Sequence, residues 1–572
     1  MNNIVFKTCS RVIDLLPSKF KLKALFAVIL LLANSLFELL GLASIIPLFT
    51  VVLKEGVIYS NYYFKYVYDL FGFVSENNFI ISICAIVVLS FLIKNIIGIL
   101  IQNYQAKLSL DLMSYFMLKL HQFFFMKGFI FFKQTNSVLI NRDIFAVPQR
   151  FAQIIVLGVF NLFHEMIVLI LIITTIIFYN TGIILVLTLT VVPVFFIFYF
   201  ITKNKIKKLG DNFHEISPKI GNNIFQSVFG YVDVIINGTY SFFHNRIKRN
   251  MNDFKRVSLE MTIFKLIPSK LIEISMISSI FIIIVYGLKF MNSKEELLVL
   301  LGVYTVASYR IMPSINRIMI AINGITENQY TLPVLENVKN FKNNFSKNSQ
   351  EITFNNKISF MDLSYKYPNA ENFTLNSLSF TINKGDIICF KGHSGSGKTT
   401  VMNLLLGLLY PSSGKIMIDN KVLNNINVQS WQSKIGYVQQ EVYLLDSNIA
   451  ENIAFGIDKS LIDYEKINIV LGQASLSKFV ESLDNGVETL VGERGANLSG
   501  GQRQRIAIAR ALYFDSEVLF FDEVTSALDS DTESEINKTI ESLSVNDGIT
   551  IVMIAHRETG LDFVNKFIRL QN

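Results

Sequence analysis

The chain has 572 residues, which is too long for a single hydrophobic core and indicates two or more domains. Hydrophobic residues make up 51% of it and charged residues only 17%, against about a quarter in soluble proteins. The apolar excess ends near Gly324, which excludes a wholly soluble protein. The net charge of +7 is better explained by basic residues on the cytoplasmic face of a membrane than by nucleic-acid binding.

Apolar segments long enough to cross a bilayer need about 20 helical residues each. The sequence predicts six of them, near 24–53, 78–102, 152–179, 182–202, 268–290 and 296–322. The first is longer than a signal-peptide core and no small-residue cleavage site follows it, so we expect it to be retained.

The connectors between these spans differ in charge. Lysines and arginines concentrate in residues 103–150 and 203–256, whereas the turns after the third and fifth spans are short, the first uncharged and the second with a single lysine. The positive-inside tendency therefore predicts that both long connectors, the N-terminus and the C-terminus are cytoplasmic. Between spans one and two, the aromatic-rich residues 54–77 suit a short helix in the membrane interface. A loop anchored on the bilayer and a contact for a lipid tail are the alternatives.

From about residue 350 the pattern changes to strands and turns, with strands predicted at 358–360, 378–380 and 387–390. The last strand runs into the pattern GxxxxGK[ST], followed by a predicted helix over 401–407, which is the arrangement of a phosphate-binding loop. Its backbone N–H groups cradle phosphate, its lysine contacts the β and γ phosphates and its threonine contacts Mg²⁺. The predicted nucleotide-binding residues of this loop are Gly392, Ser394, Gly395, Gly397, Lys398, Thr399 and Thr400.

A second acidic element supports this assignment. Residues 517–523 form an apolar strand that ends in Asp522 and Glu523. A carboxylate at a strand end beside the phosphate-binding loop is suited to coordinate Mg²⁺, and we assign Asp522 that role together with Thr399. Glu523 is predicted to act as the general base that polarises the attacking water.

Shortly before this strand lies Leu498-Ser-Gly-Gly-Gln-Arg-Gln-Arg505. Alone it would be a helix cap, but between the phosphate-binding loop and the Asp-Glu strand it matches the ABC signature. With these three motifs in order, the chain resembles an ABC exporter half-transporter. The resemblance implies an all-α transmembrane domain of six helices over residues 1–335, followed by an α/β P-loop ABC nucleotide-binding domain over 345–572.

The resemblance also assigns the remaining motif residues. It implies ATP and Mg²⁺ as cofactors, with Tyr367 stacking on adenine, Gln440 contacting Mg²⁺ and the reacting water, and His556 contacting the γ-phosphate. The nucleotide-binding residues it adds are Ser499, Gly500, Gly501, Gln502 and Asp529. Two positions depart from the family pattern, since Gln439 stands where proline is usual and Val524 where alanine is usual.

In this family the phosphate-binding loop and the signature of one chain cannot reach each other, so the resemblance implies a dimer with two shared sites. A second identical chain is the default partner, since no motif is degraded, and a heterodimer remains an alternative. The family pattern places the first coupling segment near 132–143 and the second within 210–245.

Charged residues inside apolar spans are energetically costly, so each is a candidate functional residue. Here they are Glu38, Lys94, Glu165, Glu273, Arg310 and Arg317. The glutamates are predicted to pair with Lys94 and the arginines as buried salt bridges. Arg310 and Arg317 are seven residues apart and share one helix face, and we expect them, with Lys94, to line a cavity that receives an anionic group such as phosphate.

Short stretches of spans one, five and six, above all Tyr309–Arg317, resemble the bacterial lipid-linked oligosaccharide flippases. This likeness implies ATP-driven flipping of a polyprenyl-pyrophosphate glycan across the bacterial inner membrane, with membrane lipids as further partners.

Two alternatives stay open. The first is export of peptides or amphipathic small molecules, although only about 23 residues precede the first span and we expect no leader peptidase domain there. The second is a regulatory ABC protein that does not transport, against which both Asp522 and Glu523 are present. The six predicted spans exclude a soluble ABC ATPase that acts on nucleic acid.

Overall fold

The computed structural model describes residues 4–53, 56–179, 181–290, 294–341, 350–368, 370–524, 529–555 and 561–570. The chain divides into two compact units. The first contains Met1–Lys127 and Phe131–Asn343, and the second contains Gly128–Ile130 and Asn344–Asn572.

Up to residue 341 the described secondary structure is entirely helical. The helices are α1 Ile4–Leu15, α2 Ser18–Ala43, α3 Ile45–Leu53, α4 Val57–Ser60, α5 Tyr62–Leu70, α6 Glu76–Phe125, α7 Gly128–Gln134, α8 Ser137–Asn141, α9 Val147–Arg150, α10 Leu157–Tyr179, α11 Thr181–Phe229, α12 Tyr231–Ile236, α13 Tyr240–Phe290, α14 Lys294–Glu327 and α15 Thr331–Lys339. Two π-helical turns, Arg142–Ala146 and Phe151–Val156, flank α9.

Five helical segments among the described residues are long and apolar enough to span a membrane, and they coincide with the first five predicted spans. They are Ser18–Gly41, Glu76–Phe125, Ser137–Ile177, Leu185–Phe229 and Tyr240–Lys289. The sixth predicted span, 296–322, lies within α14 and stays a prediction. The chain is thus a multi-pass membrane protein.

The first predicted span, 24–53, differs in detail because it is broken between α2 and α3 at Ser44. Pro47 follows three residues later, and proline lacks the N–H that would continue the helical hydrogen bonds while its ring crowds the carbonyl four residues earlier. The Ser44 hydroxyl donates instead to the carbonyl of Gly41 at 2.7 Å. The predicted span thus consists of two helices separated by a single turn residue.

Three helices are much longer than a bilayer is thick. α6, α11 and α13 have 50, 49 and 51 residues, which corresponds to about 75 Å each against a hydrocarbon core of about 30 Å. The long basic connectors are therefore mostly helical extensions of the spans. Within this unit α11 packs on α13, α10 on α14 and α2 on α6.

The predicted interfacial segment contains the short helices α4 and α5. Asn61 caps α5, accepting a hydrogen bond from the backbone N–H of Tyr63 at 3.0 Å. Tyr62, Tyr63 and Phe71 are each more than 70% exposed, which leaves an aromatic surface on this segment. The helix is confirmed, while its place in a membrane interface stays a prediction.

The second unit is an α/β domain with two sheets. Its strands are β1 Lys357–Tyr365, β2 Leu375–Asn383, β3 Ile387–Lys391, β4 Ser413–Ile418, β5 Lys421–Val422, β6 Ile435–Val438, β7 Val518–Asp522, β8 Thr550–Ile554 and β9 Lys566–Arg569. Its helices are α16 Lys398–Leu405, α17 Val428–Gln432, α18 Ile449–Ile453, α19 Tyr464–Gln473, α20 Ser477–Glu481, α21 Gly500–Tyr513 and α22 Ser530–Asp547.

The antiparallel sheet has the order β2-β1-β4-β5, and the parallel sheet has the order β6-β7-β8-β3-β9. The parallel strands are apolar on both faces, as in β8, where all five residues are buried. One side of this sheet packs against α16 and the antiparallel sheet, and the other side packs against α19, α21 and α22. The carboxyl ends of β3, β6 and β7 lie along one edge of this sheet. That edge carries the predicted phosphate-binding and acidic motifs.

Candidate functional site

The loop between β3 and α16 has the conformation that phosphate binding requires. Gly395 and Gly397 have φ angles of 85° and 91°, a region that glycine enters without strain. A Cβ added to Gly397 would lie 2.6 Å from the side chain of Leu375, so only glycine fits there. The Lys398 ammonium folds back over the loop and donates to the carbonyl oxygens of Gly392 at 2.8 Å and His393 at 3.1 Å.

The other loop residues surround this cradle. Ser394 and Thr399 are exposed at its surface, while Thr400 is buried at the start of α16. The Thr400 hydroxyl lies 3.3 Å from the hydroxyl of Tyr367, the residue predicted to stack on adenine. The structure therefore brings Tyr367 to the same end of α16 as the loop.

The acidic motif ends β7, at the same sheet edge. In this sheet β8 lies between β3 and β7. Glu523 has a φ of 51°, a conformation that costs a residue with a side chain roughly 1–3 kcal/mol and that concentrates at active sites. Its carboxylate accepts a hydrogen bond from the side-chain amide of Gln440 at 3.1 Å, so two of the predicted catalytic residues are in contact.

Asp522 has a partner that the sequence did not indicate. The Tyr437 hydroxyl, on β6, donates to its carboxylate at 3.1 Å. Burial raises the pKa of Asp522, while the Tyr437 hydrogen bond and the charge of Lys398 act in the opposite direction. Burial and the neighbouring carboxylate raise the pKa of Tyr437, so it remains a hydroxyl donor. This contact holds the predicted Mg²⁺ ligand in one orientation.

The signature forms the start of α21. Ser499 caps this helix, accepting from the backbone N–H of Gln502 at 3.3 Å, while the Gln502 side chain accepts from the N–H of Ser499 at 2.8 Å. Gly500 and Gly501 occupy the first turn, where a Cβ on Gly501 would lie 2.5 Å from Thr532. The free N–H groups and dipole of such a helix end attract an anion.

Of the two remaining predicted residues, Asp529 caps α22, accepting a hydrogen bond from the backbone N–H of Thr532 at 3.0 Å. His556 lies outside the residues that the structure describes.

The donor set fits Mg²⁺ and a nucleotide. A carboxylate, a hydroxyl and an amide oxygen, from Asp522, Thr399 and Gln440, are hard ligands of the kind that Mg²⁺ takes together with substrate phosphates. Within the described ranges there is no group of three or more His, Cys, Asp or Glu residues that could hold a metal. One protein carboxylate is the usual number where phosphates supply other ligands.

A second site lies among the helices of the first unit. It is a cavity of about 940 Å³ between apolar helices, and all three predicted substrate-binding residues, Lys94, Arg310 and Arg317, line it. The wall also contains Glu38, Asn34, His164 and Glu165. Among its lysine, arginine and glutamate side chains, the wall has three cations against two carboxylates.

The charged residues of this wall are paired. Arg310 is bound by the carboxylate of Glu38, and its Nη2 lies 3.6 Å from Glu165 Oε2. Arg317 Nη1 lies 2.9 Å from Glu165 Oε1. Among the described residues no carboxylate oxygen lies within 4 Å of the Lys94 ammonium, which instead lies 4.8 Å from the ring centroid of Phe91.

The prediction of buried salt bridges is confirmed for Glu38 and Glu165 and is wrong for Glu273. Glu273 pairs with Lys270 at 3.0 Å on its own helix, where a three-residue spacing makes the two side chains neighbours. Its side chain is 43% exposed, so it forms no part of the cavity network.

Sequence reasoning missed Tyr437 and His164. The His164 ring contacts Ser35 Oγ at 3.1 Å and Asn34 at 3.5 Å, and lies 3.8 Å from the Glu38 carboxylate. A histidine directly before an intramembrane glutamate was an available signal, because polar groups in lipid-facing helices are expensive unless they are partnered. Tyr437 carried no signal beyond its place three residues before Gln440.

Comparison with known proteins agrees with this geometry. Residues 375–526 match the model of the ABC transporter family. Over its full length the chain is similar to the structure of a bacterial Atm1-family ABC exporter with ATP bound, with a TM-score of 0.75 and 19% identity, covering 97% of this chain and 93% of that one. The protein therefore contains an ABC transporter domain and has the fold of an ABC exporter half-transporter.

Curated proteins with similar sequences include several lipid A-core flippases. The ATP-dependent lipid A-core flippase of Bordetella avium (strain 197N) is 40% identical over 37% of this chain and 36% of its own length. The protein of the same name from Dechloromonas aromatica (strain RCB) is 28% identical over 67% of this chain and 65% of its own length. Each alignment thus spans less than two thirds of the relative.

Proposed function

We propose that two copies of this chain form an ATP-driven flippase for an amphipathic lipid with an anionic headgroup in the bacterial inner membrane. The observation that carries the proposal is the charged cavity of about 940 Å³ among apolar helices, with three cations against two carboxylates. An excess of positive charge among apolar membrane helices favours an anionic ligand, and the surrounding apolar helices favour a lipid.

The nucleotide site supplies the energy for this cycle. Bound Mg²⁺ would neutralise charge on the phosphates, and Asp522 and Thr399 are the residues that would hold it. Lys398 and the loop N–H groups hold the phosphates, while Gln440 and Glu523 orient and polarise the water. Ser499 and Gly501 of a second chain would complete each site, so we propose a homodimer with both termini in the cytoplasm.

Two lipid classes are consistent with the cavity. The residues of span six favour a lipid-linked oligosaccharide, whose diphosphate would face Arg317 and Lys94. The names of the relatives favour a lipid A-core type of glycolipid. Both are large amphiphiles with a polar sugar part, and both need the same ATP-dependent machinery.

Mass spectrometry of lipids that co-purify with the protein distinguishes these classes. We expect an anionic glycolipid that is enriched in wild-type protein and depleted in the Arg317→Ala variant. The matched control is Lys270→Ala, which removes an exposed cation outside the cavity. Recovery of peptides, or of the same bulk phospholipids from all three proteins, would contradict the proposal.

A further inference from the structure

Glu165 is enclosed between the two arginines of the cavity. Its side chain is 1% exposed, with Oε1 at 2.9 Å from Arg317 and Oε2 at 3.6 Å from Arg310. Within the described part of the chain, Glu165 Oε2 accepts no hydrogen bond. The carboxylate is therefore close to two cations but is incompletely satisfied by them.

The two arginines are in different environments. The Arg310 side chain is 9% exposed and is also bound by Glu38, so it keeps a carboxylate partner whatever Glu165 does. The Arg317 side chain is 49% exposed towards the cavity, and among the described residues Glu165 is the carboxylate within 4 Å of it. Both arginines line the cavity, but a ligand there can contact far more of the Arg317 side chain than of the Arg310 side chain.

We propose that Glu165 is an internal competitor for the substrate's anionic group, neutralising Arg317 until a lipid headgroup takes its place. The proposal rests on the function proposed above and specifies how that site selects its ligand. On exchange Glu165 is not left as an isolated buried charge, because its Oε2 already lies beside Arg310. Exchange needs no proton transfer and no covalent step.

This competition selects by charge. Glu165 contributes one negative charge to Arg317, so a headgroup with a single net negative charge gains little by replacing it. A diphosphate carries more charge and offers several oxygens to the guanidinium fork, which favours its exchange for the carboxylate. The cavity would therefore reject ordinary membrane phospholipids while admitting a diphosphate-linked lipid.

The test measures binding of farnesyl diphosphate, farnesyl monophosphate and farnesol to the full-length protein in nanodiscs. Saturating ADP fills the nucleotide sites, so that the phosphate-binding loop does not contribute. We expect Glu165→Gln to bind both phosphorylated probes more tightly, by about 5- to 150-fold, which is the range of typical coupling between sites. The preference for the diphosphate over the monophosphate should shrink, and farnesol binding should not change.

Two further variants keep the experiment decisive. Glu165→Asp withdraws the carboxylate from Arg317 by one methylene and should tighten binding less than Glu165→Gln, and it serves where the glutamine variant does not fold. Glu273→Gln removes a carboxylate of the same membrane unit that is paired outside the cavity, and should bind as the wild type does.

Different outcomes would contradict the competition by Glu165 and the proposed anion site. If Arg317→Ala abolishes the preference for farnesyl diphosphate while Glu165→Gln and Glu165→Asp both leave affinity unchanged, the competition is wrong and the anion site stands. If the wild-type protein binds all three probes alike, both the competition and the proposed substrate class are wrong.

Discussion

At the residue scale, the nucleotide site depends on side chains whose positions are set by contacts with one another. Glu523 is held in a left-handed backbone conformation at the end of β7 and is bound by Gln440. Asp522, its neighbour, is oriented by Tyr437. The proposed roles of base and metal ligand would thereby be divided between two adjacent carboxylates.

Glu523→Gln removes the proposed base while keeping the size of the side chain. We expect ATP turnover to fall by about 10²- to 10⁴-fold, the usual contribution of general base catalysis, with ATP affinity retained. Phosphate release by the purified protein measures turnover. Glu465→Gln, at an exposed position on α19, is the control, and equal turnover of the two variants would remove Glu523 as the base.

Tyr437→Phe removes the hydroxyl that orients Asp522 without changing the packing of the ring. Because a hydrogen bond to a charged group contributes about 1.5–3 kcal/mol, we expect the Mg²⁺ concentration for half-maximal nucleotide binding to rise roughly tenfold or more. Titration of nucleotide binding with Mg²⁺ measures the shift. An unchanged Mg²⁺ dependence would show that the Tyr437 contact does not position the metal ligand.

Arg310 and Arg317 should differ in their effects on stability. Arg310→Ala leaves the buried Glu38 without its arginine, and losing one partner of a buried pair costs about 3–5 kcal/mol. Arg317→Ala removes a half-exposed side chain and should cost less than Arg310→Ala, since Glu165 retains Arg310. Unfolding in detergent measures the loss of stability of both variants. Equal losses would contradict the assignment of Arg310 to a structural ion pair and of Arg317 to ligand binding.

Residues of the nucleotide site were predictable from sequence where a motif dictates the local backbone, as for Gly397 and Lys398. Contacts between residues that lie far apart in the sequence were not predictable in this way. Tyr437 meets Asp522 because β6 pairs with β7 across about 80 intervening residues, a register that no local pattern encodes. In the same way, the sequence did not indicate whether Glu165 or Glu273 would pair with Arg317.

At the element scale, the parallel sheet requires close approach between β6 and its neighbours. A Cβ on Gly436 would lie 2.5 Å from Ala511 Cβ and 2.7 Å from the Leu519 side chain. Glycine at this position thus lets α21 and β7 pack directly against β6. The apolar run that forms β7 was predicted from the sequence, but β6 and this approach distance were not.

Gly436→Ala should destabilise the nucleotide-binding unit by about 1–3 kcal/mol through overpacking. The matched control is Gly472→Ala on α19, where the nearest atom to a new Cβ is 3.9 Å away, and alanine should be neutral or stabilise by up to about 1 kcal/mol. Thermal unfolding of the full chain separates the two outcomes. Equal effects of the two changes would contradict the packing described for β6.

The first membrane span shows how far element prediction extends. Its length and hydropathy predicted one helix, but Pro47 divides it into α2 and α3. The basic connectors at about 105–150 and 203–265 are long enough to continue the spans as helices, and the lengths of α6, α11 and α13 agree with this expectation. The helical extensions were therefore predictable from the sequence, whereas the break at Ser44 was not.

At the scale of the whole molecule, the phosphate-binding loop and the signature motif imply that a single chain is half of a dimeric transporter. The phosphate-binding loop and the signature are the two sides of an ATP site in the resembled family, and the cavity in the membrane unit has the charges that an anionic lipid requires. ATP would favour the closed pair of chains and hydrolysis would release it, since a ligand shifts an equilibrium by its differential affinity for the two states.

The most direct test of this account is lipid flipping in proteoliposomes that contain the purified protein and a fluorescent diphosphate-linked lipid. With ATP and Mg²⁺, we expect the wild-type protein to move the lipid between leaflets, and Glu523→Gln and Arg317→Ala each to abolish the ATP-dependent part. Arg317→Ala should retain basal ATP turnover, since it lies outside the nucleotide site. Movement of the lipid at the same rate without ATP, or in both variants, would contradict the account.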